Sequence, residues 1–114
     1  MTHANEPNRL LIVAILTIHS GADDSLREYE TEAARIMAKY GGVIERTMVV
    51  EPPAAEERMR EVHLLSFPNH DAFARYRADA DLSALAGLRL SCIAHTEILF
   101  GREGPNYSSP EPLR

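Results

Sequence analysis

The order of its elements predicts an α+β domain of β-α-β-β-α-β plan. That plan is a four-stranded antiparallel sheet with two helices on one face, the ferredoxin-like architecture. Three observations carry the prediction. Glu61 to Tyr76 (EVHLLSFPNHDAFARY) reads as a strand, a proline stop, a helix cap and an amphipathic helix. Leu26 to Tyr40 carries one apolar stripe and runs into two glycines. Leu10 to Ile18 is apolar at every position but Thr17, the mark of a strand buried on both faces.

Residues 1–8 are polar and contain a proline, so a loose N-terminal arm is expected there. Arg9 to His19 (RLLIVAILTIH) is the first strand. A turn at Gly21 to Asp24 leads into a helix that reaches about Tyr40, with Asp23, Asp24 or Ser25 as its cap. Leu26, Tyr29, Ala33, Ile36, Met37 and Tyr40 recur at spacings of three and four and so share one face. Arg27, Glu28, Glu30, Glu32, Arg35 and Lys39 read as the solvated face. Gly41 and Gly42 end the helix, because glycine enters the left-handed conformation without a steric penalty.

Val43 to Val50 is rich in β-branched residues and forms the second strand. Its mixed parities suit a sheet edge. Glu51 to Arg58 (EPPAAEER) is a charged, proline-rich connection, long for a tight hairpin. Glu61 to Phe67 is the third strand, stopped by Pro68, which has no N–H for the ladder. Asn69 caps the second helix, and Asp71 sits where the helix dipole favours negative charge. Phe73, Tyr76 and Ala80 return on one face. The helix is expected to break near Ala78 to Asp81. Asp81 or Ser83 then caps a short continuation that turns Leu82, Leu85 and Leu88 inward. Ser91 to Phe100 is the fourth strand and Gly101 ends it. The folded domain is thus expected over residues 9–101, with 102–114 as an extended tail anchored by Tyr107 and Leu113.

Composition narrows the function. The chain's 114 residues suffice for one core. A net charge of −5 without a basic stripe argues against a nucleic-acid partner. The apolar run Leu10 to Ile18 is far shorter than the roughly 20 residues of a membrane span. The start MTHANEPNR lacks the basic segment and cleavage site of a secretory signal, so a cytoplasmic protein is expected. Cys92 is the sole cysteine, which excludes an intrachain disulfide and a cysteine metal cluster and suits a small buried hydrophobe. A glycine-rich phosphate loop, HExxH and GxSxG are all absent. No cofactor or metal is expected.

One difficulty points to a partner. Helices cover one face of such a sheet, and the first strand has no polar parity to offer water on the other. A second copy of the same sheet would cover it, so a homodimer through the open sheet face is expected.

These residues resemble a known family. Tyr29 with Ala33 and Ala34, the run Ala38 to Arg46 (AKYGGVIER), the run Leu64 to Tyr76 (LLSFPNHDAFARY) and Ile98 to Gly101 (ILFG) are similar to the dimeric α+β-barrel superfamily. Within it the chain looks most like the family called domain of unknown function 1330. The likeness covers roughly residues 9 to 102. Ser66 stands where that family commonly has an acidic residue before Phe-Pro, and the chain has no tryptophan. The superfamily includes cofactor-free monooxygenases, isomerases, haem enzymes and proteins without known activity. The resemblance therefore implies a fold and a dimer, not a reaction.

Five histidines are the main candidates for chemistry. His3 and His70 read as surface residues. His19 ends the first strand, where it can line a pocket mouth. His63 shares parity with Leu65 and Phe67 and is expected on the helix side. It is either a hydrogen-bonded core histidine or a general base. His95 and Glu97 share one face of the fourth strand. There a carboxylate can fix the imidazole's tautomer, or the pair is simply solvated or dimer-facing. His63 and His95 are thus the catalytic candidates, with His19, Tyr29, Tyr76 and Glu97 as ligand-binding candidates. Two readings follow. One is a small binding or accessory module without catalysis. The other is a cofactor-independent enzyme, monooxygenase- or isomerase-like, acting on a small, largely apolar organic acid or aromatic compound. A cavity reached by His63 or His95 favours the enzyme; a filled core favours the module.

Overall fold

Strand β1 (Leu10–Ile18) lies inside a four-stranded sheet of order β2-β3-β1-β4. The computed structural model describes residues 9–52, 54–55 and 57–108. After β1 come α1 (Asp23–Ala38), β2 (Val43–Val50), β3 (Arg60–Phe67), α2 (His70–Arg77), α3 (Ala80–Ser83), α4 (Ala86–Cys92) and β4 (Ile93–Gly101). Each neighbouring pair is antiparallel. This is the ferredoxin-like α+β plan, with β2 at an edge as its mixed parities suggest.

The two faces of β1 differ. Leu10, Ile12, Ala14, Leu16 and Ile18 are buried, none more than 7% exposed. Leu11, Val13, Ile15 and Thr17 between them are only half-buried. Alternation sets the even residues toward the helices and the odd ones toward the uncovered face. Leu16 therefore points inward and Ile15 outward, a choice the sequence left open.

Helix α1 buries Leu26, Tyr29, Ala33, Ile36 and Met37, the expected stripe. Its cap differs from expectation. Ala22 occupies that position without a side-chain bond, and Asp23 and Asp24 fall in the first turn, acting only through the dipole. The helix stops at Ala38, with Lys39 and Tyr40 in the turn. Gly41 follows at φ 74°, where a side chain would be strained. At Gly42 a Cβ would sit 2.4 Å from both Met37 Cγ and Phe67 Cε2, so the entry into β2 needs glycine.

Helix α2 is capped by Asn69, whose Oδ1 accepts from the Ala72 N–H at 2.8 Å. The continuation is two short helices, and Asp79 rather than Asp81 or Ser83 caps the first. Its Oδ1 accepts from the N–H groups of Asp81 and Leu82 at 2.8 and 3.2 Å. Its other oxygen accepts from the Tyr40 hydroxyl at 2.5 Å and lies 2.9 Å from Lys39 Nζ. These two partners hold the Asp79 carboxyl well below the usual carboxylate range. Ala80 opens α3 and is exposed instead of continuing the apolar face. Ser91 and Cys92 close α4 rather than opening β4. Both side chains donate to the Leu88 carbonyl, and Leu88 and Cys92 turn inward one helical turn apart.

Near one end of the sheet, a register shift between Ile44 and Arg46 marks a bulge at Glu45. The Ser66 hydroxyl donates to the Glu45 carboxylate at 2.6 Å, and Arg9 donates to Ser66 Oγ at 3.0 Å. Tyr107 is 91% exposed and anchors nothing. Leu113 and His3 lie outside the described residues. Among those residues, no helix is long and apolar enough to cross a membrane.

Candidate functional site

The core divides into two clusters. One gathers Leu10, Ile12, Phe67 and Phe73; the other gathers Leu16, Ile18, Leu26 and Ile93. Small side chains, Ala14 on β1 and Ala33 on α1, stand where larger ones would join the clusters. A cavity of about 450 Å³ occupies the space between the sheet, α1, α2 and α4. Its apolar wall includes Met37, Leu65, Phe73 and Ile98. Its polar groups are Tyr29, Glu30, His63, Tyr76, Arg89 and Thr96, with Ser83 and Arg77 also on the wall.

His63 is on β3, opposite Ala14 of β1 and Thr47 of β2. It faces the helices, as its parity with Phe67 requires. It is 4% exposed, and each ring nitrogen meets a carboxylate. Nε2 is 2.7 Å from Glu61 Oε1, and Nδ1 is 3.4 Å from Glu30 Oε2. A neutral imidazole has one donor and one acceptor. If Nε2–H donates to Glu61, Nδ1 is left as an acceptor toward Glu30. A protonated Glu30 carboxyl can then donate to it. Burial raises the Glu30 pKa, opposed by the attraction of His63. This is the setting of a general acid or base rather than of a solvated charge.

At the other polar end of the cavity, Arg89 donates to Thr96 Oγ1. It forms no ion pair among the described residues. Burial raises the Tyr29 pKa and the Arg89 charge offsets part of that rise. Burial holds Tyr76 further up, well above the usual phenol range. Both hydroxyls therefore stay protonated at neutral pH and can donate to a ligand. A half-buried guanidinium without a carboxylate partner, beside two phenol donors, is suited to an anionic oxygen.

The structure brings together three of the residues named from sequence: His63, Tyr29 and Tyr76. His19 is half-buried beyond the end of β1, outside the cavity wall, and its backbone N–H donates to the Cys92 carbonyl. His95 and Glu97 are exposed. They pair with Thr17 and Ile15 on the uncovered face, so the sheet separates them from His63. Among the described residues, no group of three His, Cys, Asp or Glu side chains is arranged to hold a metal ion.

Sequence reasoning missed Glu30, Glu61, Arg89 and Thr96. Glu30 falls among the charges expected on the solvated face, yet it stands four residues after Leu26 and three before Ala33, on the border of the apolar stripe. Glu61 shares parity with His63, a signal that was available. Arg89 was not legible, because its direction depends on how α4 docks.

No protein-family model matches the chain, and no curated protein does. Solved structures do match. SnoaB, a cofactor-independent oxygenase from Streptomyces nogalater, superposes with a TM-score of 0.63 at 18% identity, over 91% of this chain and 99% of its own. A putative antibiotic biosynthesis monooxygenase from Nitrosomonas europaea gives 0.65 at 9% identity, over 86% and 92%. An uncharacterized NIPSNAP domain protein from Burkholderia xenovorans gives 0.64 at 18% identity, over 90% and 99%. At these identities the likeness is one of fold, the ferredoxin-like α+β plan.

Proposed function

We propose that the cavity binds a small, largely apolar aromatic compound or organic acid, and that the chain is a cofactor-independent enzyme acting on it. One observation carries this reading. A cavity of about 450 Å³ is bordered by a buried histidine held between two carboxylates. The volume lies in the usual range for small-molecule sites, roughly 300–1,000 Å³. The apolar wall takes the ligand's body. Arg89, helped by Tyr29, takes an anionic or incipiently anionic oxygen. Glu30 and His63 take up or return a proton on the ligand, which by itself suffices for an isomerase-like shift of an acidic C–H. The fold shared with a cofactor-independent oxygenase agrees with a monooxygenase-like variant of the same proton abstraction.

Two further parts belong to the proposal. The uncovered sheet face, with Leu11, Val13, Ile15 and Leu64 half-buried and Met48 and Leu99 exposed, supports a homodimer through that face. The Ala38 to Arg46 and Leu64 to Tyr76 runs support kinship to domain of unknown function 1330 within the superfamily.

Calorimetric titration with a panel of phenols, naphthols and aromatic acids tests the binding. Arg89→Gln should weaken the anionic members most and leave the neutral ones nearly unchanged. Equal loss for both kinds, or no binding by any member, would sink the reading. Catalysis is tested by NMR in D2O. An enzyme exchanges the acidic C–H of a bound ligand for deuterium and Glu30→Gln stops it. A binding module exchanges nothing beyond the solution rate.

A further inference from the structure

Glu30 borders two cavities, and His63 stands in the wall between them. The second is a cleft of about 370 Å³ against the opposite flank of Glu30. Its floor is Ile18, Leu26, Val49 and Met59. Glu61 lines this cleft but not the main cavity, whereas His63 lines the main cavity but not the cleft. The Glu30 and Glu61 side chains are each about one-fifth exposed, while the His63 side chain between them is almost fully buried.

One hydrogen bond would suffice to orient a structural histidine. Here both nitrogens face a carboxylate; Glu30 reaches the main cavity as well as the cleft, and Glu61 opens onto the cleft alone. We propose that Glu30, His63 and Glu61 form a proton relay from the main cavity to the second cleft. A proton abstracted from a bound ligand thereby leaves by a path the ligand does not block. The proposal rests on the main cavity being a ligand site, and it makes Glu61 a positioning residue that acts through His63.

The step balances without any co-reactant. A proton arriving on the Glu30 carboxylate passes to His63 Nδ1. The ring gives its Nε2 proton to Glu61, and Glu61 releases that proton into the cleft. One proton enters, one leaves, and the imidazole changes tautomer. When a proton is returned to the ligand, as an isomerase-like shift requires, the same steps run backwards and restore the starting tautomer. Burial of Glu30 favours its protonated form, which suits a group that must first hold the proton.

Other charges act on the relay. From α1, Tyr29 faces the main cavity, Asp23 and Arg27 face the cleft, and Glu30 borders both. Tyr76 and Arg77 of α2 and Arg89 of α4 face the main cavity. Arg60 and Glu61 of β3 face the cleft. Arg89 lowers the Glu30 pKa and Glu61 raises it, so the relay is set between a cation at one end and a carboxylate at the other.

The test is NMR of the full chain labelled with ¹⁵N-histidine, measuring exchange of the His63 ring proton with water across pH. Buried as it is, that proton should exchange rapidly in the unsubstituted chain. Glu61→Gln keeps an acceptor but cannot carry a proton, so exchange should slow roughly a hundredfold, the lower end of general acid–base effects. Backbone amides around His63 should keep their rates, which separates relay from loosening. Exchange too fast to observe in the unsubstituted chain, with a signal appearing in Glu61→Gln, supports the relay equally. Glu61→Ala opens space at the cleft, and added formate should restore the rate; this arm also serves if Glu61→Gln folds poorly. Unchanged exchange in Glu61→Gln with no formate effect on Glu61→Ala overturns the proposal. So does exchange slowed by Glu30→Gln alone, which would mean that the proton leaves through the main cavity. No ligand enters this experiment. A failed relay therefore leaves the cavity reading standing, and a cavity that binds nothing removes the ligand as the proton's source without altering the exchange measured here.

Discussion

His63 and His95 stand on the two strands that flank β1, yet they meet different surroundings. His63 lies across from Ala14, faces the helices and sits between two carboxylates. His95 lies across from Thr17, faces away from the helices and is exposed. The difference is one of parity alone. An antiparallel partner at an even position of β1 looks into the cavity, and one at an odd position looks out. Residue type marked both histidines as candidates; register separates them.

The sharpest way to break this comparison is to place a charge on each parity of β1. Leu16→Glu buries a carboxylate without a partner and should abolish the cooperative melt followed by circular dichroism. Ile15→Glu should keep the melt. In the proposed dimer it should also reduce the mass seen by light scattering from twice 12.7 kDa to a single chain. If both variants melt alike, the two faces of β1 are not distinct.

Next in size are the histidines themselves. His63→Ala leaves Glu30 and Glu61 without their shared partner and should lower stability by about 1–3 kcal/mol. His95→Ala should stay within about 0.5 kcal/mol of the unsubstituted chain. Urea unfolding curves measure both. A larger loss at His95 would reverse the ranking.

Two carboxylates give smaller effects of opposite sign. Burial raises the Glu30 pKa in the folded state. Its contribution to stability is therefore full below the unfolded value of about 4.3 and is lost as pH rises through the folded value. Glu30→Gln cannot ionise and should melt higher than the unsubstituted chain at pH 7, with the gap closing near pH 4. Such a penalty at neutral pH fits a group retained for chemistry rather than stability. Asp79 runs the other way. Tyr40 and Lys39 depress its pKa, so its contribution is present above about pH 3.9 and is lost as pH falls toward the folded value. Asp79→Asn should melt lower at pH 7, with the deficit shrinking on acidification. Because Lys39 is exposed and Tyr40 only half-buried, this should be the smallest effect of the series. Melting curves from pH 3 to pH 8 read both carboxylates.

The fold was legible because local signals and the global plan agree. The Pro68–Asn69 stop and cap, the stripe from Leu26 to Met37 and the doubly apolar β1 each allow few alternatives. Element ends were read less well. Ala22 caps α1 because the chain enters from the turn at Gly21, so the nearby acids arrive one position late. Cys92 closes α4 although the sequence places it in β4, because a short apolar run looks the same in either structure. Half of the candidate site was legible too. His63, Tyr29 and Tyr76 follow from parity and helical spacing. Arg89 does not, since α4 is short and only tertiary docking aims it. His95 and Glu97 show the reverse error, a pairing real on its strand but on the wrong face for the cavity.

The unequal strength of the cavity's walls has a consequence for traffic. Helix α1 holds itself down with five buried side chains, whereas α3 has none and α4 only Cys92. Leu82, Ser83, Ala86 and Arg89, which form one wall, all belong to that weakly held stretch. Segments with few buried contacts open by local fluctuation well below the free energy of global unfolding. The barrier to a guest's arrival and departure would then be set by how often residues 80–92 lift, with the sheet left undisturbed. Arg89 would lift with them, so an anion is gripped only once that wall has closed behind it.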